Sequence, residues 1–379
     1  MIRNIIFFAI ILGFIFCCKN QDPYQGEYIE LSFEEMLTFG QPDSLSESTV
    51  NYAREVRLGP GGRIYVADAG VSKIKVYSSE GNLVSSFGKR GRGPGEITDI
   101  QGFAVTDSTV LTWDQNMQRI SIFGLNGKLK TVKNLKGSPF PMHIYPLENS
   151  YLALHEENKN LDKYNTVRLG HIYSADFSTP QANFLRVENI NENIEKISEI
   201  LGGWYGSLHI VTNQEFIFVP FIYGGKIYKY AKTNNGWQQV DTYDGLNRQT
   251  PFSLMEETNG KRKPDAAISS IYRSEDISFI GHNWSRGLFK YDGYIFHFVF
   301  TDIKEKRVFG VELYNEDMNP IGFTPIKSIP ITNQEDNALV WGVEDVDKNG
   351  NFYFLQRNDE GMQVRVMQVN HEDLERLVQ

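Results

Sequence analysis

Residues 64–87, IYVADAGVSKIKVYSSEGNLVSSF, recur as residues 110–132, VLTWDQNMQRISIFGLNGKLKTV, at a constant offset of 46. Ile64/Val110, Asp68/Asp114, Lys73/Arg119, Ile74/Ile120, Val76/Ile122, Tyr77/Phe123, Gly81/Gly127 and Leu83/Leu129 all fall in register. A period of this length marks a repeat architecture. Each unit reads as strand, polar turn, alternating strand, glycine hairpin, strand. Such a sheet cannot bury both of its faces until neighbours stack on it. The expected fold is all-β: a β-propeller of four-stranded antiparallel blades.

A length of 379 residues ordinarily suggests about two domains, but closed repeat rings run longer as one unit, so a single large domain is expected. Tyr, Phe and Trp make up 13% of the chain, as wide pleated sheets packed face to face require. The net charge is −9, with acidic and basic residues interspersed. No basic stripe is present, which excludes nucleic acid as an expected partner.

The N-terminus carries Arg3, an apolar run from Ile5 to Phe16, then Cys17-Cys18-Lys19-Asn20, after which the chain turns polar. This reads as an export signal over residues 1–18, too short to span a bilayer as a stable helix. The run Phe14-Ile15-Phe16-Cys17-Cys18 resembles a bacterial lipobox, with Cys18 as the lipidated residue, Cys17 as a second candidate and a plain signal peptide as the alternative. Residues 19–26 are then a polar tether, and the membrane is a partner through the lipid. These are the only two cysteines, so the mature domain has none for an internal disulfide or a thiolate metal site.

Blade one is expected from Arg54-Leu58, Arg63-Ala67, Lys73-Tyr77 and Leu83-Phe87. The link Gly88 to Gly95, rich in Gly and Pro, is read as a crossover loop to blade two at 101–135. Blade three begins near Met142 and continues through 151–155 and 164–173, followed by a polar connection from Phe177 to Gly203. Blade four contains 217–219 and 226–230, and the stretch 244–265 is read as a long exposed insertion. Blade five spans 287–325, with Tyr294-Phe300 buried on both faces. Blade six (340–369) lacks a fourth strand, which Glu27-Phe33 is expected to supply, closing a six-bladed ring without an open edge. The propeller then covers residues 27–371, with a C-terminal tail at 372–379.

Val66-Ala-Asp68, Lys73-Ile-Lys-Val-Tyr77, Glu80-Gly-Asn82, Phe87-Gly88 and Gly91-Arg-Gly-Pro-Gly-Glu96 resemble the NHL repeat. They are similar in particular to the six-bladed propeller lipoproteins of Bacteroidetes. That resemblance implies a cell-envelope setting at the outer membrane, in the periplasmic or the surface leaflet, and little about chemistry.

Asp68 and Asp114 recur at equivalent positions after an apolar strand, where a carboxylate caps a turn or holds a ligand. Lys89, Arg90 and Arg92 form a cationic loop that serves either as a crossover or as an anion contact. These five residues are the candidate ligand-facing positions, with the bland structural reading favoured for each. The seven histidines show no metal-binding spacing, and His143, His155, His209, His282 and His297 are read as packing residues on or near strands. No nucleophile elbow or phosphate loop is present, so no catalytic residue, metal or cofactor is assigned. Two functions stay open. One is a lipid-anchored binding or scaffold module for a protein, peptide or glycan. The other is a hydrolase or lyase with an axial divalent cation, like gluconolactonases or amidating lyases. Side chains along the central channel discriminate between them.

Overall fold

The computed structural model describes residues 24, 27–41, 46–135, 141–155, 168–177, 180–186, 206–247, 252–255, 271–273, 278–281, 283–303, 306–329, 339–358 and 361–377. The expected export signal, with Cys17 and Cys18, lies outside the described residues, as do residues 187–203 of the expected polar connection.

The chain opens with β1 (Phe33–Phe39), which joins the last blade. Blade one is β2 (Ala53–Gly59), β3 (Arg63–Asp68), β4 (Lys73–Tyr77) and β5 (Leu83–Phe87). Blade two is β6 (Ile100–Val105), β7 (Thr109–Asp114), β8 (Arg119–Gly124) and β9 (Leu129–Asn134). Blade three is β10 (Pro141–Leu147), β11 (Ser150–His155), β12 (Arg168–Ser174) and β13 (Pro180–Arg186). Blade four is β14 (Gly206–Thr212), β15 (Glu215–Pro220), β16 (Lys226–Thr233) and β17 (Gly236–Asp244). A small sheet of β18 (Phe252–Met255), β19 (Ile271–Arg273) and β20 (Ser278–Gly281) follows. Blade five is β21 (Trp284–Tyr291), β22 (Tyr294–Ile303), β23 (Lys306–Asn315) and β24 (Pro320–Pro325). Blade six is β25 (Leu339–Val346), β26 (Asn351–Asn358) and β27 (Gly361–Val369), with β1 outermost. Every pairing within the six blades is antiparallel.

The sequence repeat is a repeat of backbone geometry. Ser72 and its equivalent Gln118 both turn at positive φ, 56° and 49°. Gly81 and Gly127 do so at 77° and 78°. These glycines also let the preceding blade approach. A Cβ on Gly127 would lie 2.7 Å from Phe87, the last residue of blade one, and a Cβ on Gly81 would lie 2.9 Å from Phe39, the last residue of β1. Phe39 thus fills the outer-strand position of blade six as Phe87 fills that of blade one.

Six hydrophobic clusters, one per seam, close the ring. Tyr65, Ile74, Ile100 and Phe103 join blades one and two; Trp113, Ile120, Tyr151 and Phe177 join two and three. Leu152, Leu154, Phe216 and Phe218 join three and four, and Val219, Ile227, Leu288 and Val299 join four and five. Phe298, Phe309, Phe352 and Phe354 join five and six. Val56, Ile64, Leu355 and Val364 return from six to one. Each sheet therefore buries both faces, which a single blade could not do.

Three expectations need correction. The closing strand is Phe33–Phe39 and not Glu27–Phe33, with Phe33 facing Val369 and Phe39 facing Val364. The alternation in 27–33 is instead spent on blade five: Tyr28 bridges Phe323 in parallel, Ile29 N–H donates to Phe323 C=O at 3.0 Å, and Phe323 N–H donates to Glu27 C=O at 2.6 Å. Second, the polar connection after Phe177 contains β13, the outer strand of blade three. Outer strands meet solvent and need little apolar periodicity, so polarity concealed it. Third, the insertion after Asp244 contains β18, which pairs with β20.

The termini are tied together. Asp373, in the short helix α1 (His371–Arg376), accepts hydrogen bonds from Ser32 N–H at 2.9 Å and Ser32 Oγ at 2.5 Å, while Asn370 N–H donates to Ser32 C=O. Asn370 caps the helix by accepting from Glu372 and Asp373 N–H.

Candidate functional site

The first strand of each blade lines the axis, β25 serving for blade six, and adjacent members such as β2 and β6 or β2 and β25 lie side by side. Alternation along these strands puts every second side chain on the same face. Blade one offers Glu55 and Arg57, blade three His143 and Tyr145, and blade six the consecutive Glu344 and Asp345 at a register shift in β25. Glu55 Oε1 lies 3.2 Å from Arg57 Nη2 and 2.5 Å from His143 Nδ1. Arg57 Nη1 donates to Glu344 C=O at 3.0 Å and lies 3.7 Å from Glu344 Oε2. Its guanidinium carbon stands 5.7 Å from the centre of the Tyr145 ring. Asp345 Oδ2 accepts from Leu58 N–H at 2.8 Å, stitching blade six to blade one.

Glu55 is 1% exposed, whereas the His143 side chain is 34% exposed, so the cluster opens to solvent at the histidine. The second oxygen of Glu55, Oε2, is buried and has no hydrogen-bond partner among the described residues. Burial pushes Glu344 up to about 7, against the lowering effect of Arg57 and with the help of Glu55. Burial also raises Asp345. It would lower Arg57, but Glu55, Tyr145, Glu344 and Asp345 outweigh it and hold the guanidinium above its usual range. On β14, burial and then the Lys290 charge push His209 down to about 4, leaving it neutral at neutral pH.

The raised Glu344 has a consequence for stability. Its folded state holds a proton that the unfolded chain releases near its ordinary carboxylate value, so its contribution is full below about pH 4.3 and lost as pH rises through about 7. Glu344→Gln should therefore gain on wild type by on the order of 2–3 kcal/mol between pH 4 and pH 8. Guanidinium unfolding at each pH measures the gain; a flat difference would show that Glu344 titrates alike in the folded and the unfolded chain.

The carboxylates here are served by the protein's own side chains. Arg57 lies against both Glu55 and Glu344, and Glu55 Oε1 is shared with His143, so a divalent ion would have to displace the guanidinium. Among the described residues no group of three or more His, Cys, Asp or Glu is arranged to hold a metal.

The residues singled out in the sequence lie elsewhere. Asp68 is buried and accepts from the N–H groups of Asn51 and Tyr52 at 3.0 Å each, with Lys75 Nζ at 2.9 Å. Burial would raise its pKa; those three donors overcome the burial and hold it below the usual carboxylate range. Asp114 accepts from Thr98 N–H and Oγ1 and from Met117 N–H. Each aspartate thus staples the incoming crossover to its own blade. Lys89, Arg90 and Arg92 are exposed on the crossover between blades one and two, where Lys89 pairs with Glu96 at 2.9 Å and Arg90 donates to Gly70 C=O. Arg119 supports that loop from below through the carbonyls of Arg92, Gly93 and Glu96.

A second polar cluster is sealed inside the seam of blades four and five. Ser285 Oγ lies 2.9 Å from His297 Nε2, and His297 Nδ1 lies 3.0 Å from Glu312 Oε2. The spacing is that of a nucleophile, base and carboxylate, but all three are at most 2% exposed. Tyr24 and Tyr314 hydroxyls donate to Glu312 at 2.8 and 2.7 Å, and Asn247, Asn283 and Thr301 continue the network outward. His297 is a satisfied packing residue, as read from its strand. His143 is not, and joins the axial site.

Fold and axis together define a six-bladed β-propeller with a polar cluster where its inner strands converge. The chain belongs to the DUF5128 family of six-bladed β-propellers, whose profile matches residues 47–340. No curated protein matches. Solved structures that share the fold include two from Bacteroides. A Bacteroides fragilis protein assigned as exported is 12% identical, with a TM-score of 0.54 over 93% of this chain and 98% of that one. A Bacteroides vulgatus member of the DUF4221 family is 12% identical, with a TM-score of 0.53 over 92% and 99%. At such identities the likeness is one of fold. Among the described residues, no helix is long and apolar enough to cross a membrane.

Proposed function

We propose that this chain is a lipid-anchored binding propeller of the cell envelope. Cys18 holds it to the outer membrane, and the axial cluster receives a glycan or a protein or peptide segment rich in hydrogen-bond donors. One observation carries the reading: Glu55, Arg57, His143 and Glu344 converge from three different blades without being dictated by the repeat. Strand pairing sets Arg57 opposite Tyr65 and Ala104 opposite the equivalent Leu111, so Glu55 and Arg57 correspond to Gly102 and Ala104, and blade two has no ionic pair there. Repeated residues such as Asp68 and Asp114 build blades; this departure from the repeat builds something else. The unpartnered Glu55 Oε2 gives a ligand donor a place to bind. The apolar run before Cys17-Cys18 supports export and anchoring.

Screening the soluble domain on a glycan array and a peptide phage library tests the ligand side. Arg57→Ala and Glu55→Gln should each weaken the selected ligand at least about tenfold, the cost of one buried charged contact. Loss on changing Lys89, Arg90 and Arg92, with the axial variants unaffected, would move the site to the loop. Saturable binding of Ca²⁺, abolished by Glu344→Gln, would favour the axial-cation hydrolase or lyase instead. Metabolic acyl labelling lost in Cys18→Ser and kept in Cys17→Ser tests the anchor.

A further inference from the structure

Tyr24 is fully buried. Its ring stacks on Phe323 of β24 with centroids 3.9 Å apart and an angle of 10°. Its hydroxyl donates to Glu312 Oε1 at 2.8 Å and accepts from Asn247 Nδ2 at 2.9 Å. A turn closed by Glu27 N–H on Tyr24 C=O then leads into the strap along β24, where a Cβ on Gly322 would meet Ile29 at 2.3 Å. Phe323 lies on the outermost strand of blade five, and Asn247 follows the outermost strand of blade four. At Tyr24 the chain is therefore fixed at the outer rim of that one seam.

Only residues 19–23 separate Tyr24 from Cys18. Fully extended, six Cα-to-Cα steps reach about 20 Å. Two opposed blades of four strands, spaced about 4.8 Å, put opposite rims upwards of about 30 Å apart. An anchor on Cys18 consequently cannot leave the orientation of the ring free.

We propose that the outer rim between blades four and five is the membrane-facing surface of the propeller, its partner the lipid bilayer. This rests on the lipidation of Cys18 proposed above. The rim carries suitable groups. Tyr28, 44% exposed beside Tyr24, presents an aromatic ring of the kind that settles at a bilayer interface, and Val240, 50% exposed, adds apolar surface on β17, the outermost strand of blade four. Val84, 48% exposed on β5, lies across the ring on blade one.

The mature lipidated chain has no free thiol, since Cys18 is its only cysteine and its sulfur carries the lipid, so single reporters can be placed cleanly. Val240→Cys and Val84→Cys, each labelled with a fluorophore, are reconstituted in phosphatidylethanolamine–phosphatidylglycerol vesicles containing a nitroxide-headgroup lipid. Quenching at position 240 should exceed that at position 84 by severalfold, and a twenty-residue Gly-Ser insert between Gln21 and Asp22 should remove the difference. Equal quenching, or stronger quenching at position 84, in a chain whose mass shows the acyl groups would overturn the orientation while leaving the anchor intact. A mass without acyl groups would overturn the anchor, and the orientation with it.

Discussion

Phe298→Ala is expected to cost about 3–5 kcal/mol, the range for emptying a buried aromatic site. Phe298 on β22 is fully buried. Its ring centroid lies 5.2 Å from Phe352, 5.5 Å from Phe354, 6.1 Å from Phe33, 6.2 Å from Phe309 and 6.3 Å from Phe289. Those partners belong to blade five, blade six and the closing strand, so one truncation empties the point where both ends of the chain meet. Edge-to-face contacts among these rings add to the area lost. Val240→Ala, on an exposed rim, should change stability by less than about 0.5 kcal/mol and serves as the control. Guanidinium unfolding followed by intrinsic fluorescence measures both; a cost below about 1 kcal/mol for Phe298→Ala would mean that this seam is not packed as described.

Glu312→Ala should cost a comparable 3–5 kcal/mol for a different reason. Glu312 accepts from Tyr24, Tyr314 and His297 in a seam with no exposed surface. Removing it strands three buried polar groups, each left with its full desolvation penalty. Burial first and the Glu312 charge second hold the hydroxyls of Tyr24, Tyr223 and Tyr314 well above the ordinary tyrosine range, so all three remain donors through mild alkali. Tyr24→Phe removes a single donor and should cost only about 1–2 kcal/mol. In the double variant the two costs should fall short of additivity by at least about 0.5 kcal/mol, the mark of a shared contact. Additive costs would show that Tyr24 and Glu312 act independently.

The legible part of the fold is the part that repeats. Asp68/Asp114 and Gly81/Gly127 stand out because the turn and the hairpin need the same residue in blades one and two, for acceptor geometry in one case and positive φ in the other. The order of strands in blades one, two and five follows from apolar alternation. What failed to show was edge structure: β1 has a solvent side, so its sequence carries half the signal, and β13 is the outermost strand of blade three. The alternation of Glu27–Phe33 was real but used as a strap on blade five. The axial site was hidden for the opposite reason. Its members are 88 and 201 residues apart in chain order, from Glu55 to His143 and from His143 to Glu344, and each looks like an isolated polar residue on a strand; ionisable pairs at alternate positions of an inner strand, Glu55/Arg57 above all, were the available clue. The network of Ser285, His297 and Glu312 depends on strand register, which places His297 opposite Glu312, and no local motif records that.

The ring is closed by β1 against β27. Glu34 faces Gln368 across that pair, and directly opposed antiparallel residues have Cα separations of about 4.5–5.5 Å, within disulfide range. In a chain with Cys17 and Cys18 replaced by serine, Glu34→Cys/Gln368→Cys should oxidise to an intramolecular disulfide in air and raise the thermal midpoint. A chain that stays reduced, or that cross-links only between molecules while Ile29→Cys/Gln368→Cys forms the internal bond, would contradict the closure described here.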